Sequence, residues 1–147
     1  MADTLKEILL DSSRRSTVVA DLQTLIDEEV AAKSGVSGTV IKTGYAAVKK
    51  IKPGIIGAAV DSLLDDFVAA LEPIYADFKA SGASDFGSYL PTRSDAADAL
   101  LSVTDARAEK SDRESIKKVY NKLRPKGKEN VEEALPRLGK LIDKHAA

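Results

Sequence analysis

Apolar residues recur along this chain in steps of three and four, and the alternating pattern of a half-buried strand is missing. Thr4 and Glu7 have the spacing of a capping box, opening a short helix with Leu5, Ile8 and Leu9 on one face. Val18, Val19, Leu22, Leu25, Ile26 and Val30 draw the stripe of a second helix, closed by Gly35. Ser37 is placed to cap a third, whose apolar face holds Val40, Ile41, Tyr45, Val48 and Ile51. Pro53-Gly54 ends it, because proline disfavours the helical region for the residue before it, and Pro53 suits the first turn of the next helix.

The longest stripe follows. From Ile55 to Phe78 the apolar residues fall on one half of a helical wheel, with Asp61, Asp65 and Glu72 opposite. The phase survives Pro73, which predicts one long helix kinked or briefly broken there. Leu63, Leu64, Phe67 and Val68 are placed in the core. Residues 79–95, KASGASDFGSYLPTRSD, form a connector with one helical turn at 85–89. A further helix starts at Ala96. Ser111 and Glu114 repeat the capping-box spacing before Ile116, Val119, Tyr120 and Leu123. RPKGKEN turns the chain into a last helix carrying Val131, Leu135, Leu138 and Ile142, with Pro136 and Gly139 expected to distort it. The fold class is all-α: a compact bundle of about seven helices around one long, Pro-kinked central helix. Residues 1–147 read as a single helical domain, with a loose division allowed near residue 85.

Composition removes chemistry more than it supplies it. The chain has 147 residues and no cysteine, so disulfides, thiolate metal sites and cysteine nucleophiles are excluded together. Its start, MADTLKEILLDSS, carries three acids and no long apolar core, and no apolar run approaches a membrane span. A soluble, cytoplasmic protein is expected. The net charge is −1 but unevenly spread: residues 54–78 hold five acids and no base, residues 111–147 ten basic and six acidic side chains.

No catalytic set stands out. SGVSGTVIKTG, residues 34–44, is rich in glycine, but Lys42 follows Ile41 rather than a glycine and the segment before it is helical, so it does not form a phosphate loop. Its glycines suit a helix end, a helix start and, at Gly44, close helix packing. Asp61 and Asp65 share a helix face but leave most ligand positions of a hard cation to water, so no metal is expected. His145, the one histidine, stands three residues from a terminus expected to fray, where it suits the helix dipole. The helix at 38–51 sets lysines against apolar residues but lacks the Trp and Phe of an interfacial membrane helix. No cofactor is expected either.

The densest charge lies between Arg113 and Lys128. Lys117, Lys118, Lys122, Arg124, Lys126 and Lys128 are the candidate phosphate contacts of a nucleic-acid-binding segment. Glu129, Glu132 and Glu133 follow where a recognition helix would begin, which disfavours that reading.

The stretch KKIKPGIIGAAVDSLLDDFVAALEPIYADF resembles uncharacterised small all-helical bacterial proteins in families of unknown function. It carries no functional motif, so the resemblance implies a fold and no activity. The leading expectation is a non-enzymatic protein acting through protein contacts or self-association, because the 55–78 stripe is wide and short neighbours would leave part of it uncovered. Nucleic-acid association through 113–128 and an apolar small ligand held in the helical core are the alternatives. An enzyme relying on acids or lysines alone remains a further, unsignalled reading.

Overall fold

The computed structural model describes residues 4–147 apart from Pro53, with the backbone alone at Ser37. The roles proposed above for the Ser37 side chain and for Pro53 lie outside what it describes. Among the described residues eight α-helices run in order: α1 (Leu5–Leu9), α2 (Arg15–Ala32), α3 (Gly35–Ile51), α4 (Ile55–Ser81), α5 (Phe86–Tyr89), α6 (Ala96–Glu109), α7 (Glu114–Leu123) and α8 (Gly127–Ala146). Single 3-10 turns at Leu90–Thr92 and Arg124–Lys126 join α5 to α6 and α7 to α8. No strand occurs among the described residues.

Four long helices form a ring. Helix α2 packs on α4, α4 on α6, α6 on α8 and α8 back on α2, while the diagonal pairs scarcely approach. Helices α3 and α7 pack on each other outside the ring, with Gly44 at their contact, the close-packing role its place in the sequence suggests. A Cβ there would lie 3.2 Å from both Leu123 and Val119. The core fills one end of the ring. Leu5, Ile8, Val18, Phe86, Leu90 and Ile142 are fully buried, and the rings of Tyr75 and Phe78 stand 5.1 and 5.2 Å from that of Phe86.

Helix α4 is continuous through Pro73. Proline deprives the Ala69 carbonyl of its helical partner, but Ala69 and Pro73 are both exposed, so water can take the freed acceptor. Helix α8 likewise runs through Pro136 and Gly139 without interruption. Gly139 is instead a contact point: a Cβ there would come within 2.6 Å of Gly87 Cα.

Two short helices are held by distant acids. Helix α1 begins with the Thr4 hydroxyl accepting from the Glu7 amide at 3.2 Å, as the spacing predicts. Five residues are too few for a stable isolated helix. The Glu72 carboxylate of α4 completes its start, accepting from the Leu5 and Lys6 amides at 3.0 Å each. Helix α5 repeats the device, with Asp85 capping Ser88 and Asp143 of α8 accepting from the amides of Phe86 and Gly87.

Some boundaries differ from expectation. Helix α2 ends at Ala32 and is not closed by Gly35: Lys33 and Ser34 are extended, and Gly35, at a φ of +74°, opens α3 two residues before Ser37. At α7 the Ser111 hydroxyl accepts from the Arg113 amide rather than from Glu114, so the second capping box does not form.

Candidate functional site

The ring does not fill its own centre. Between α2, α4, α6 and α8 lies a cavity of about 310 Å³, walled by apolar side chains. Leu22, Leu25, Ile26 and Val30 enter from α2, Leu64 and Phe67 from α4, Leu100 and Leu101 from α6, and Val131, Leu135 and Leu138 from α8. Leu64 and Val68 are 2% and 3% exposed as expected, whereas Phe67, which borders the same space, is only half-buried. Leu63 is also half-buried and faces outward into two surface concavities.

Four polar residues reach the cavity wall: Glu29, Lys33, Thr104 and Asn130. Three of them share one end. Lys33 lies between Glu29 at 3.4 Å and Glu133 at 2.6 Å, and Asn130 stands one helical turn before Glu133. Glu29 also receives Arg137 at 3.1 Å. The Lys33 and Glu29 side chains are 9% and 13% exposed, so their charges are matched within the protein and leave no uncompensated charge in the wall. Thr104 is turned to its own network: its hydroxyl meets the Tyr120 hydroxyl at 2.8 Å, and Tyr120 donates to Asp105.

The α2–α8 wall is closed by a ladder of ion pairs. Asp21 meets Lys144 and His145, Glu28 and Glu29 meet Arg137, and Lys33 meets Glu133. From Asp21 to Glu29 is eight residues, matched by eight from His145 back to Arg137. Four more to Lys33 are matched by four to Glu133. His145 is therefore not frayed. Its side chain is 8% exposed, Nε2 lies 2.8 Å from Asp21, and its carbonyl accepts from Arg14 at 2.5 Å. Burial opposes ionisation of Asp21, but hydrogen bonds from Lys144 and His145 outweigh it and hold the carboxyl below its usual range.

The remaining candidates are spent on structure or stand apart. Asp61 and Asp65 clasp Arg15, at 2.8 and 3.1 Å, rather than facing a vacant coordination site. Among the described residues, no group of three or more acids or His is arranged to hold a metal ion. The basic segment divides. Arg124 forms a two-pronged pair with Asp105, Lys128 meets Asp98 at 3.3 Å and Lys126 meets Glu129 at 3.9 Å. Lys117, Lys118 and Lys122 have no carboxylate partner among the described residues; Lys118 and Lys122 are exposed and Lys117 half-buried. The structure thus leaves three adjacent lysines of α7 available and commits the other three cations.

The cavity is what sequence reasoning does not locate. Its only advance sign is the breadth of the apolar stripes on α2, α4 and α8, which is also the sign of an ordinary core. No helix among the described residues is long and apolar enough to cross a membrane.

The chain belongs to a family of unknown function (DUF6918), whose model matches residues 5–146. No curated protein and no solved structure matches it.

Proposed function

We propose that this protein binds a small, uncharged, largely apolar molecule at the centre of its four-helix ring. The observation that carries the reading is the 310 Å³ cavity with its almost wholly hydrocarbon wall. Natural ligand pockets begin at about 300 Å³, and an engineered cavity of ~150 Å³ already takes up benzene. Scaling from that ring, the space suits on the order of ten carbon atoms. Asn130, at one end, can both donate and accept a hydrogen bond and would orient a neutral polar head. A protein partner or a second copy finds less support. Val36, at 86% exposure, is the one large apolar side chain strongly exposed among the described residues. Nucleic-acid association retains the three uncommitted lysines of α7 and Arg113 beside them.

Thermal unfolding with and without 1-decanol tests the reading. A ligand present at a hundred times its Kd stabilises the fold by about 2.7 kcal/mol, so the midpoint should rise with decanol concentration. Ala134→Phe places a ring in the same space and should abolish that rise while the variant alone melts as high as the native protein. No response of the native protein to decanol or to other apolar probes of this size would refute the proposal.

A further inference from the structure

A second concavity lies outside the ring, between the first half of α4 and the corner where α6 meets α7, with a volume of about 640 Å³. Its floor is apolar: Ile55, Ala59 and Leu63 of α4 face Ile116 and the Tyr120 ring of α7. Its rim is cationic. Lys52, Arg107, Lys110 and Arg113 line it, against Asp112 as the one acid.

The arginines make the rim unusual within this chain. There are seven. Arg15, Arg93, Arg124 and Arg137 each lie on a carboxylate, and Arg14 donates to the His145 carbonyl. Among the described residues only Arg107 and Arg113 lack such an acceptor, and both line this groove. Helix electrostatics explains only part of the placement. A cation suits the C-terminal end of α6, where Arg107 and Lys110 stand, but Arg113 precedes the first turn of α7, where the dipole disfavours positive charge. An arginine fork is shaped to receive a carboxylate or a phosphate.

We propose that this groove binds a single-chain anionic amphiphile, its chain along the α4–α7 floor and its carboxylate or phosphate head met by Arg107 and Arg113. The site is separate from the central cavity, with Thr104 bordering both. The two differ in charge. In the cavity Lys33 is already matched by Glu29 and Glu133, so an anionic head there would meet carboxylates.

The test is an amide-shift titration by NMR with decanoate, decyl phosphate and 1-decanol, each below its aggregation limit. Decanoate or decyl phosphate should perturb Ile55, Ala59 and Ile116. The double variant Arg107→Gln/Arg113→Gln should bind them about 2- to 30-fold more weakly, the range for two exposed charge contacts. Decanol should respond little to that variant. Shifts centred on Leu22, Val131 and Leu138 would overturn the proposal, as would affinity unchanged in the variant. Binding to anionic phosphatidylserine vesicles with none to the monomeric amphiphiles would also overturn it. Decanol failing to enter the central cavity while decanoate fills the groove would refute only the function proposed above.

Discussion

Replacing Gly139 with Ala places one methyl group where the backbone of α5 already stands. The new Cβ would lie 2.6 Å from Gly87 Cα, 2.7 Å from the Phe86 carbonyl oxygen and 2.9 Å from the Gly87 nitrogen. Ordinary carbon contacts begin near ~3.5 Å, and main-chain atoms cannot rotate aside, so α5 must shift by about 1 Å. That shift draws the Phe86 and Gly87 amides off Asp143, which they now meet at 2.9 and 2.8 Å from one turn further along α8. Overpacking of this kind costs about 1–3 kcal/mol and the weakening of the two hydrogen bonds to the Asp143 charge about 1.5–3 together, while alanine in a helix returns ~1 relative to glycine. The net is a loss of about 2–5 kcal/mol, or a melting point lower by roughly 5–15 °C at this chain length. Gly57→Ala is the control. Its Cβ would meet only the end of the Gln23 side chain, at 3.0 Å, which can move. That variant should be neutral or up to ~1 kcal/mol more stable. Denaturant unfolding of both variants decides the matter. Equal stability of Gly139→Ala and the native protein would refute the argument that two backbones touch here.

Leu64→Ala should cost about 2–5 kcal/mol by the same assay, towards the upper end because the deletion enlarges a space already present; an unchanged midpoint would show that Leu64 is not packed. The Asp105 carboxyl is held below its usual range first by Arg124 and then by Tyr120. A carboxyl depressed in the folded state contributes stability that is complete above the unfolded value of about 3.9 and is lost as pH falls through the folded value. Stability should therefore fall on acidification below about pH 4, and Asp105→Asn should flatten part of that fall; a parallel pH profile for the variant would contradict the assignment. Lys117, Lys118 and Lys122 should not confer duplex binding at physiological salt. Sub-micromolar binding at ~150 mM salt, abolished by Gln at all three, would reverse that expectation, the log–log salt slope becoming shallower by roughly 0.9 for each phosphate that no longer meets a lysine.

The helices are legible in the sequence because periodicity reports them directly. The Ile55–Phe78 stripe lies within α4, and Val18–Val30 lies within α2. Periodicity says which face of a helix is apolar and nothing of what stands opposite. Leu64 and Phe67 share a stripe and both border the cavity, yet one is buried and the other only half-buried, a difference set by the neighbouring helices. The contacts that hold the short helices are equally out of reach. Glu72 caps residues 67 and 66 positions away, and Asp143 caps Phe86 across 57. His145 reads as loose because Asp21, its partner, lies 124 residues off in sequence. Gly139 reads as a helix breaker because a sequence shows the missing side chain but not the backbone that occupies its place.

The ladder between α2 and α8 also settles how the two helices align. Apolar stripes recur every turn, so on packing grounds alone α2 could slide one turn along α8 and still bury its face. The charges would not follow. The first two rungs set acids of α2 against bases of α8, and the last reverses the order, with Lys33 on Glu133. A slide of four residues one way would bring Lys33 beside Arg137; the other way, Glu29 beside Glu133. Like charges would then meet at a seam where Lys33 and Glu29 are nearly shut off from water, and there repulsion is least screened. The inverted rung thus sets one like-charge pair against each displaced arrangement, which the observed alignment does not have.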